Sequence, residues 1–166
     1  MTENTEINEI KFMVTGGHMT PAIAVIEELQ NRGYDSFVWV GHKYAQSTTK
    51  SLSAEYRTVK KKDIPFHELK DGKFMWWITP QNFIVVLRDL FRTPYGFLRA
   101  RKILKRTRPD VIISFGGYLA LPIVYQAKRL KIPAVTHEQT ITQGRANKWI
   151  SKFVNKILVS WNGTLE

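Results

Sequence analysis

The sequence predicts an α/β fold, a parallel sheet with helices packed on both faces. Two observations point there. Short apolar runs alternate with stretches that are apolar at helical spacing, strand then helix, along most of the chain. Several of the apolar runs stop at glycines or at ionisable residues, as strands do at the ligand-binding end of an open parallel sheet. No internal repeat of fixed period is present, and 166 residues suffice for one domain with a substantial core.

The elements follow in order. Ile10 and Phe12 to Val14 read as a buried strand that stops at Gly16-Gly17-His18. Thr20 is expected to cap the next helix, with Pro21 at its first position, where no backbone donor is needed. Ile23, Ile26 and Leu29 share a face of that helix, and Gly33 ends it. Ser36 to Val40 is a second strand, closed by Gly41-His42; residues 43–55 are polar with weak helical character. Tyr56 to Val59 reads as a third strand before Lys60-Lys61-Lys62, and Ile64 to Leu69 as another short extended segment. The Gly72 to Ile78 connection is densely apolar and aromatic.

Thr79-Pro80 repeats the cap-plus-proline start, and Phe83, Ile84, Leu87, Leu90 and Phe91 lie on one helix face. Thr93-Pro94 starts, or kinks into, a further helix reaching about Thr107 and carrying Arg99, Arg101, Lys102, Lys105 and Arg106. Pro109 to Ser114 is a buried strand followed by Phe115-Gly116-Gly117-Tyr118. Leu121 to Leu130 is a helix, and Ala134 to Thr136 a strand ending in His137-Glu138-Gln139. Gly144 to Phe153 is a helix and Lys156 to Ser160 a last strand.

Composition narrows the function classes. Hydrophobic residues make up 43% and aromatics 12%, which is globular rather than disordered. With no cysteine there is no disulfide framework, and neither thiolate chemistry nor a metal site is expected. The opening residues MTENTEINEI are polar and acidic, unlike a signal peptide, so a cytoplasmic location is the expectation. Lysine and arginine count 25 against 14 acids, a formal charge of +11. Such a surface favours an anionic partner: nucleic acid, a lipid headgroup surface or a phosphorylated substrate. No recognised nucleic-acid motif accompanies the charge, and nucleic acid is not expected as a partner.

Three apolar runs end in groups suited to chemistry: Thr15-Gly16-Gly17-His18, Phe115-Gly116-Gly117-Tyr118 and His137-Glu138-Gln139. In a strand–turn–helix unit, turn N–H groups and the helix N-terminus converge where a phosphate binds. Glycine lets a ligand approach the backbone, and His18 would place an imidazole beside it. Each glycine pair also fits a plain tight turn, and His137-Glu138 a local pair tying down a loop. The dinucleotide spacing G-x-G-x-x-G is absent. Met75, Trp76, Trp77, Ile78 and Phe83 fit either a core cluster or an apolar wedge entering a membrane surface beside cationic helices.

Thr15-Gly-Gly-His-Met-Thr-Pro-Ala22, Pro109-Asp-Val-Ile-Ile-Ser-Phe-Gly-Gly-Tyr118, and His137-Glu-Gln139 with Gly144-Arg-Ala-Asn-Lys-Trp149 together resemble the MurG family. The resemblance runs from about Ile10 to Trp161 and covers only that family's N-terminal half. It implies a Rossmann-like acceptor-binding domain, residues 10–161, of a GT-B glycosyltransferase, with a polar tail at 1–9 and the start of an interdomain linker at 162–166. The family moves N-acetylglucosamine, with inversion, from its UDP sugar to undecaprenyl-pyrophosphoryl-N-acetylmuramoyl-pentapeptide. That step serves peptidoglycan synthesis, and so cell shape and division. By the same resemblance His18 matches the general base. Thr15, Gly16, Gly17, Gly116, Gly117 and Tyr118 match the cradle for the acceptor diphosphate. Glu138, Gln139 and Asn147 match polar positions facing the donor cleft.

No cofactor or metal is implied, and the wedge at 75–78 with Phe83 becomes a contact with the anionic inner face of the plasma membrane, bound peripherally. The donor UDP-N-acetylglucosamine would be held by a C-terminal half or by a second chain. The alternative is a non-catalytic lipid-binding subunit. Two departures stand out: Met13 and Val14 replace two glycines usual in the family, and Thr140 replaces an asparagine.

Overall fold

The computed structural model describes residues 10–45, 51–69 and 83–165 (backbone alone at 83–93 and 165). Among these, six strands form one sheet: β1 (Phe12–Thr15), β2 (Phe37–Gly41), β3 (Phe66–Glu68), β4 (Val111–Ser114), β5 (Ala134–Glu138) and β6 (Lys156–Val159). Their order is β3-β2-β1-β4-β5-β6, and every pairing is parallel. The helices are α1 (Met19–Asn31), α2 (Ala54–Lys61), α3 (Phe83–Thr107), α4 (Ala120–Leu130) and α5 (Arg145–Ile150).

Alternation along the central strand explains the layers. Phe12 and Val14 of β1 pack with Trp39, Ala22, Ile26 and Val59 on the α1–α2 side. Met13 points the other way, into a cluster with Ile112, Leu104, Ile123 and Ile150 from β4, α3, α4 and α5. All four residues of β1 are buried, which is why this strand reads as an unbroken apolar run. The strand order reverses between β1 and β4, so a crevice opens beyond their carboxyl ends.

The expected strands at 36–40, 64–69, 109–114, 134–136 and 156–160 are present within a residue or two. Tyr56 to Val59 is a correction, since it lies in helix α2. Tyr, Thr and Val are strand formers, but capping overrides them here. Ser53 Oγ accepts the Tyr56 backbone N–H at 3.0 Å, Glu55 sits in the first turn, and Lys60 and Lys61 sit in the last. The third strand of the sheet is instead Phe66–Glu68.

The cap of α1 is also corrected. The helix starts at Met19, so His18 rather than Thr20 is the capping residue, in extended conformation and without a side-chain cap bond. Gly17, at φ +140°, turns the chain early enough for this. Pro21 remains in the first turn, where its missing N–H costs nothing. Pro94 lies inside α3, so Thr93-Pro94 does not open a separate helix. The helix expected over 144–153 is shorter, with Gly144 as its N-cap and Ile150 its last residue.

Met75, Trp76, Trp77 and Ile78 lie outside the described residues, as do residues 1–9, and Phe83 is the first residue of α3.

Candidate functional site

The β1 and β4 turns meet backbone to backbone. Gly17 and Gly116 both have positive φ, +140° and +80°. A methyl group on Gly17 would stand 2.5 Å from the Gly116 carbonyl oxygen, and one on Gly117 would lie 3.5 Å from Gly17 Cα. Neither turn slides freely. The Gly16 N–H donates to the Val40 carbonyl at 2.7 Å, and the Gly116 N–H donates to Ser114 Oγ at 3.2 Å. The contact therefore requires glycine on conformational and steric grounds together.

The third strand end supports the second turn from beneath. A methyl on Gly116 would stand 2.5 Å from Asn147 Oδ1. Asn147 Nδ2 donates to Glu138 Oε2 at 2.5 Å, and Thr140 donates to Glu138 Oε1 through its hydroxyl, 2.7 Å, and its backbone N–H, 3.2 Å. Burial pushes the Glu138 carboxyl upward, but the Asn147 amide, the Thr140 donors and the Gly144 backbone N–H outweigh it. The carboxyl therefore lies below its ordinary value.

Glu138 and Asn147 were expected to face an open cleft; they are 3% and 6% exposed, and they reach the crevice only through the backbone they shape. Gln139 is half-buried, and its carbonyl accepts the Trp161 indole N–H at 3.1 Å. Thr140, the departure noted in the sequence, is spent on the Glu138 carboxylate.

The exposed groups at the crevice are His18, Gly17 and Tyr118, the last 42% exposed. Under them lies a row of buried hydroxyls from neighbouring strands, paired in register: Thr15 with Ser114, and Ser114 with Thr136. Thr136 Oγ1 donates to Ser114 Oγ at 3.4 Å, while Thr15 Oγ1 and Asn147 Oδ1 are buried with no partner among the described residues. Helix α1 directs its N-terminus toward the same turn, adding partial positive charge. Gly17 and Gly117 thus meet at the carboxyl end of the sheet, with Glu138 buried behind Asn147 and Gly116, and the turns offer backbone N–H groups and an imidazole to an anionic ligand.

Two features escaped the sequence reading. Tyr95 and Leu98 stand 57% and 66% exposed on α3, the helix that carries Arg99, Lys102 and Lys105. The other is Glu55, whose carboxyl fills the side-chain space of Gly16; no short-range pattern marks such a contact.

Sheet order and crevice define a doubly wound α/β domain of the kind that binds phosphorylated ligands at its switch point. Residues 14–159 match the model for the glycosyltransferase family 28 N-terminal domain, and the chain belongs to that family. It is 36% identical over 152 residues to a protein of Clostridium tetani named UDP-N-acetylglucosamine–N-acetylmuramyl-(pentapeptide) pyrophosphoryl-undecaprenol N-acetylglucosamine transferase, with 92% of this chain and 39% of that one aligned. The protein of the same name in Staphylococcus carnosus is 35% identical over 152 residues, again 92% and 39% of the two chains. The chain thus spans about two fifths of the length of these relatives. The crystal structure of Acinetobacter baumannii MurG superposes with a TM-score of 0.71 at 25% identity, over 93% of this chain and 43% of that one. A putative UDP-N-acetylglucosamine 2-epimerase from Listeria monocytogenes, TM-score 0.58 at 11% identity, shares the fold alone.

Proposed function

We propose that this chain is the acceptor-binding domain of an N-acetylglucosaminyltransferase that completes the lipid-linked disaccharide-pentapeptide of peptidoglycan. One observation carries the reading: two glycine turns in backbone contact beneath an exposed histidine, at the sheet's switch point. The relatives' names supply the substrate class, N-acetylglucosamine from UDP and an undecaprenyl-pyrophosphoryl acceptor. Thr15, Gly16, Gly17, Gly116, Gly117 and Tyr118 border the acceptor diphosphate, whose charge is offset by backbone N–H groups and the α1 N-terminus.

The His18 imidazole takes the proton of the acceptor hydroxyl as that oxygen attacks the anomeric carbon. The bond to UDP breaks on the opposite face, so configuration inverts, and the diphosphate leaves with the electron pair. UDP-N-acetylglucosamine is held by a C-terminal half or by a second chain, joined through a linker near 162–166. Glu138, Gln139 and Asn147 lie on the side from which the donor arrives. Glu138 and Asn147 act there by shaping the backbone.

The acceptor's lipid requires a membrane surface nearby. Among the described residues no helix is long and apolar enough to cross a membrane. We assign peripheral contact on the cytoplasmic face to Met75, Trp76, Trp77, Ile78 and Phe83; the exposed Tyr95 and Leu98 and the basic side chains of α3 support a surface of that chemistry.

The test is His18→Ala in the chain assembled with a donor-binding half. Transfer is expected to fall by a factor on the order of 10² to 10⁴ while binding of the lipid-linked acceptor is retained. Undiminished turnover removes His18 from the mechanism.

A further inference from the structure

Glu55 is an ionisable group at this end of the sheet with no part in the proposed transfer step. It sits in the first turn of α2, behind the cap residue Ser53. Ser53 ties that turn to the segment after β2: its hydroxyl donates to the His42 carbonyl at 2.7 Å and its N–H to the Lys43 carbonyl at 2.9 Å. The Glu55 carboxyl then points inward. It accepts the indole N–H of the fully buried Trp39 at 2.5 Å and the backbone N–H of His42.

Its Oε1 occupies the side-chain space of two glycines at once. A methyl group on Gly16 or on Gly41 would overlap that oxygen. The Gly16 φ is unexceptional, so glycine is required at that position to admit the carboxyl. Burial pushes the carboxyl upward, and the Trp39 and His42 contacts offset this only in part. The turn it contacts is the one that ends in His18, two residues on. Gly17, between them, is pinned from the opposite side by Gly116.

We propose that Glu55 is a positioning residue for the transfer reaction. Seated against Gly16 and Gly41 and tethered to the Trp39 indole, it holds the Gly16-Gly17-His18 turn in the shape that presents the imidazole to the acceptor hydroxyl. This rests on the assignment of His18 as the base. It gives Gly16, one of the residues assigned to the diphosphate cradle, a second role separate from ligand approach.

The test combines kinetics with the isolated chain. With a donor-binding half supplied, Glu55→Ala should lower kcat roughly ten- to a hundred-fold with acceptor KM changed less than about three-fold, as expected for a displaced catalytic group. Glu55→Gln keeps the volume and the acceptor for Trp39, and should restore most of that rate. In a His18→Ala background, Glu55→Ala should add nothing further. If His18→Ala abolishes transfer but Glu55→Ala does not slow it, the positioning role is overturned and the base stands. If His18→Ala leaves transfer intact, both fall. A glutamine as slow as alanine would also overturn the proposal, because charge rather than placement would then be in use.

On the chain alone, Glu55→Ala should shift the backbone amide resonances of Gly17 and His18 as well as the Trp39 indole N–H. Gly16→Ala should lower the thermal midpoint, and Gly16→Ala with Glu55→Ala should recover much of that loss. Unmoved Gly17 and His18 amides, or strictly additive midpoints, would overturn the proposal whether or not an active assembly is obtained.

Discussion

Replacing Gly17 by alanine probes the contact on which the crevice depends. The φ of +140° alone costs an L-residue about 1–2 kcal/mol. The new methyl would stand 2.5 Å from the Gly116 carbonyl oxygen, well inside contact distance. Both turns are hydrogen-bonded into the sheet, so the overlap is relieved by shifting backbone, at about 1–3 kcal/mol. The sum is about 3 kcal/mol, or a melting midpoint lowered by roughly 6–12 °C for a domain of this size. Urea unfolding of the chain measures it directly. Gly163→Ala is the control, because nothing lies within 4 Å of the added methyl and its φ is ordinary, so it should fall within about 0.5 kcal/mol of the parent. If Gly17→Ala unfolds at the parent's urea midpoint, the two turns are not in contact and the crevice is wrongly drawn.

Three further outcomes are expected. Sedimentation with vesicles should be stronger with anionic than with neutral lipid. Trp76→Ala with Trp77→Ala should weaken it, each basic side chain near the surface contributing about 1 kcal/mol; pelleting indifferent to both would discard the membrane wedge. The Glu138 carboxyl is depressed in the folded state, so its stabilisation is present above the ordinary value of 4.5 and is lost as pH falls through the lower folded value. Glu138→Gln should flatten that acid limb in urea midpoints measured from about pH 6 to about pH 3. Glu55 is raised, so its contribution is complete below 4.5 and disappears as pH rises through its folded value. Glu55→Gln should remove this opposite slope, and an unchanged pH profile would contradict the buried placement.

Much of the architecture was legible because the signals were local. A strand, a glycine turn and a capped helix lie within twenty residues of one another at 12–31, and Gly33 closes the helix by a turn that depends on its own φ of +91°. Apolar runs buried on both faces need no partner to be recognised, and β1, β2 and β4 announced themselves in this way. The three strand ends could be gathered at one edge because a parallel sheet puts every carboxyl end on the same side. The Tyr56 to Val59 stretch departs from its residues' preference for strand for a local reason too: the Ser53 cap competes with that preference and wins.

Other features have no local signature. The sequence carries Glu55, Gly16, Gly41 and Trp39, but only the pairing of β1 with β2 and the packing of α2 beside them bring the four together. Likewise the resemblance placed Glu138 and Asn147 at the donor cleft, and the tertiary structure turns both inward, beneath Gly116. Backbone conformation and capping are settled over a few residues, so the sequence by itself determined the elements and their order. Which side chain occupies another's empty space is settled by strand order and helix packing across tens of residues, and the tertiary structure decided it.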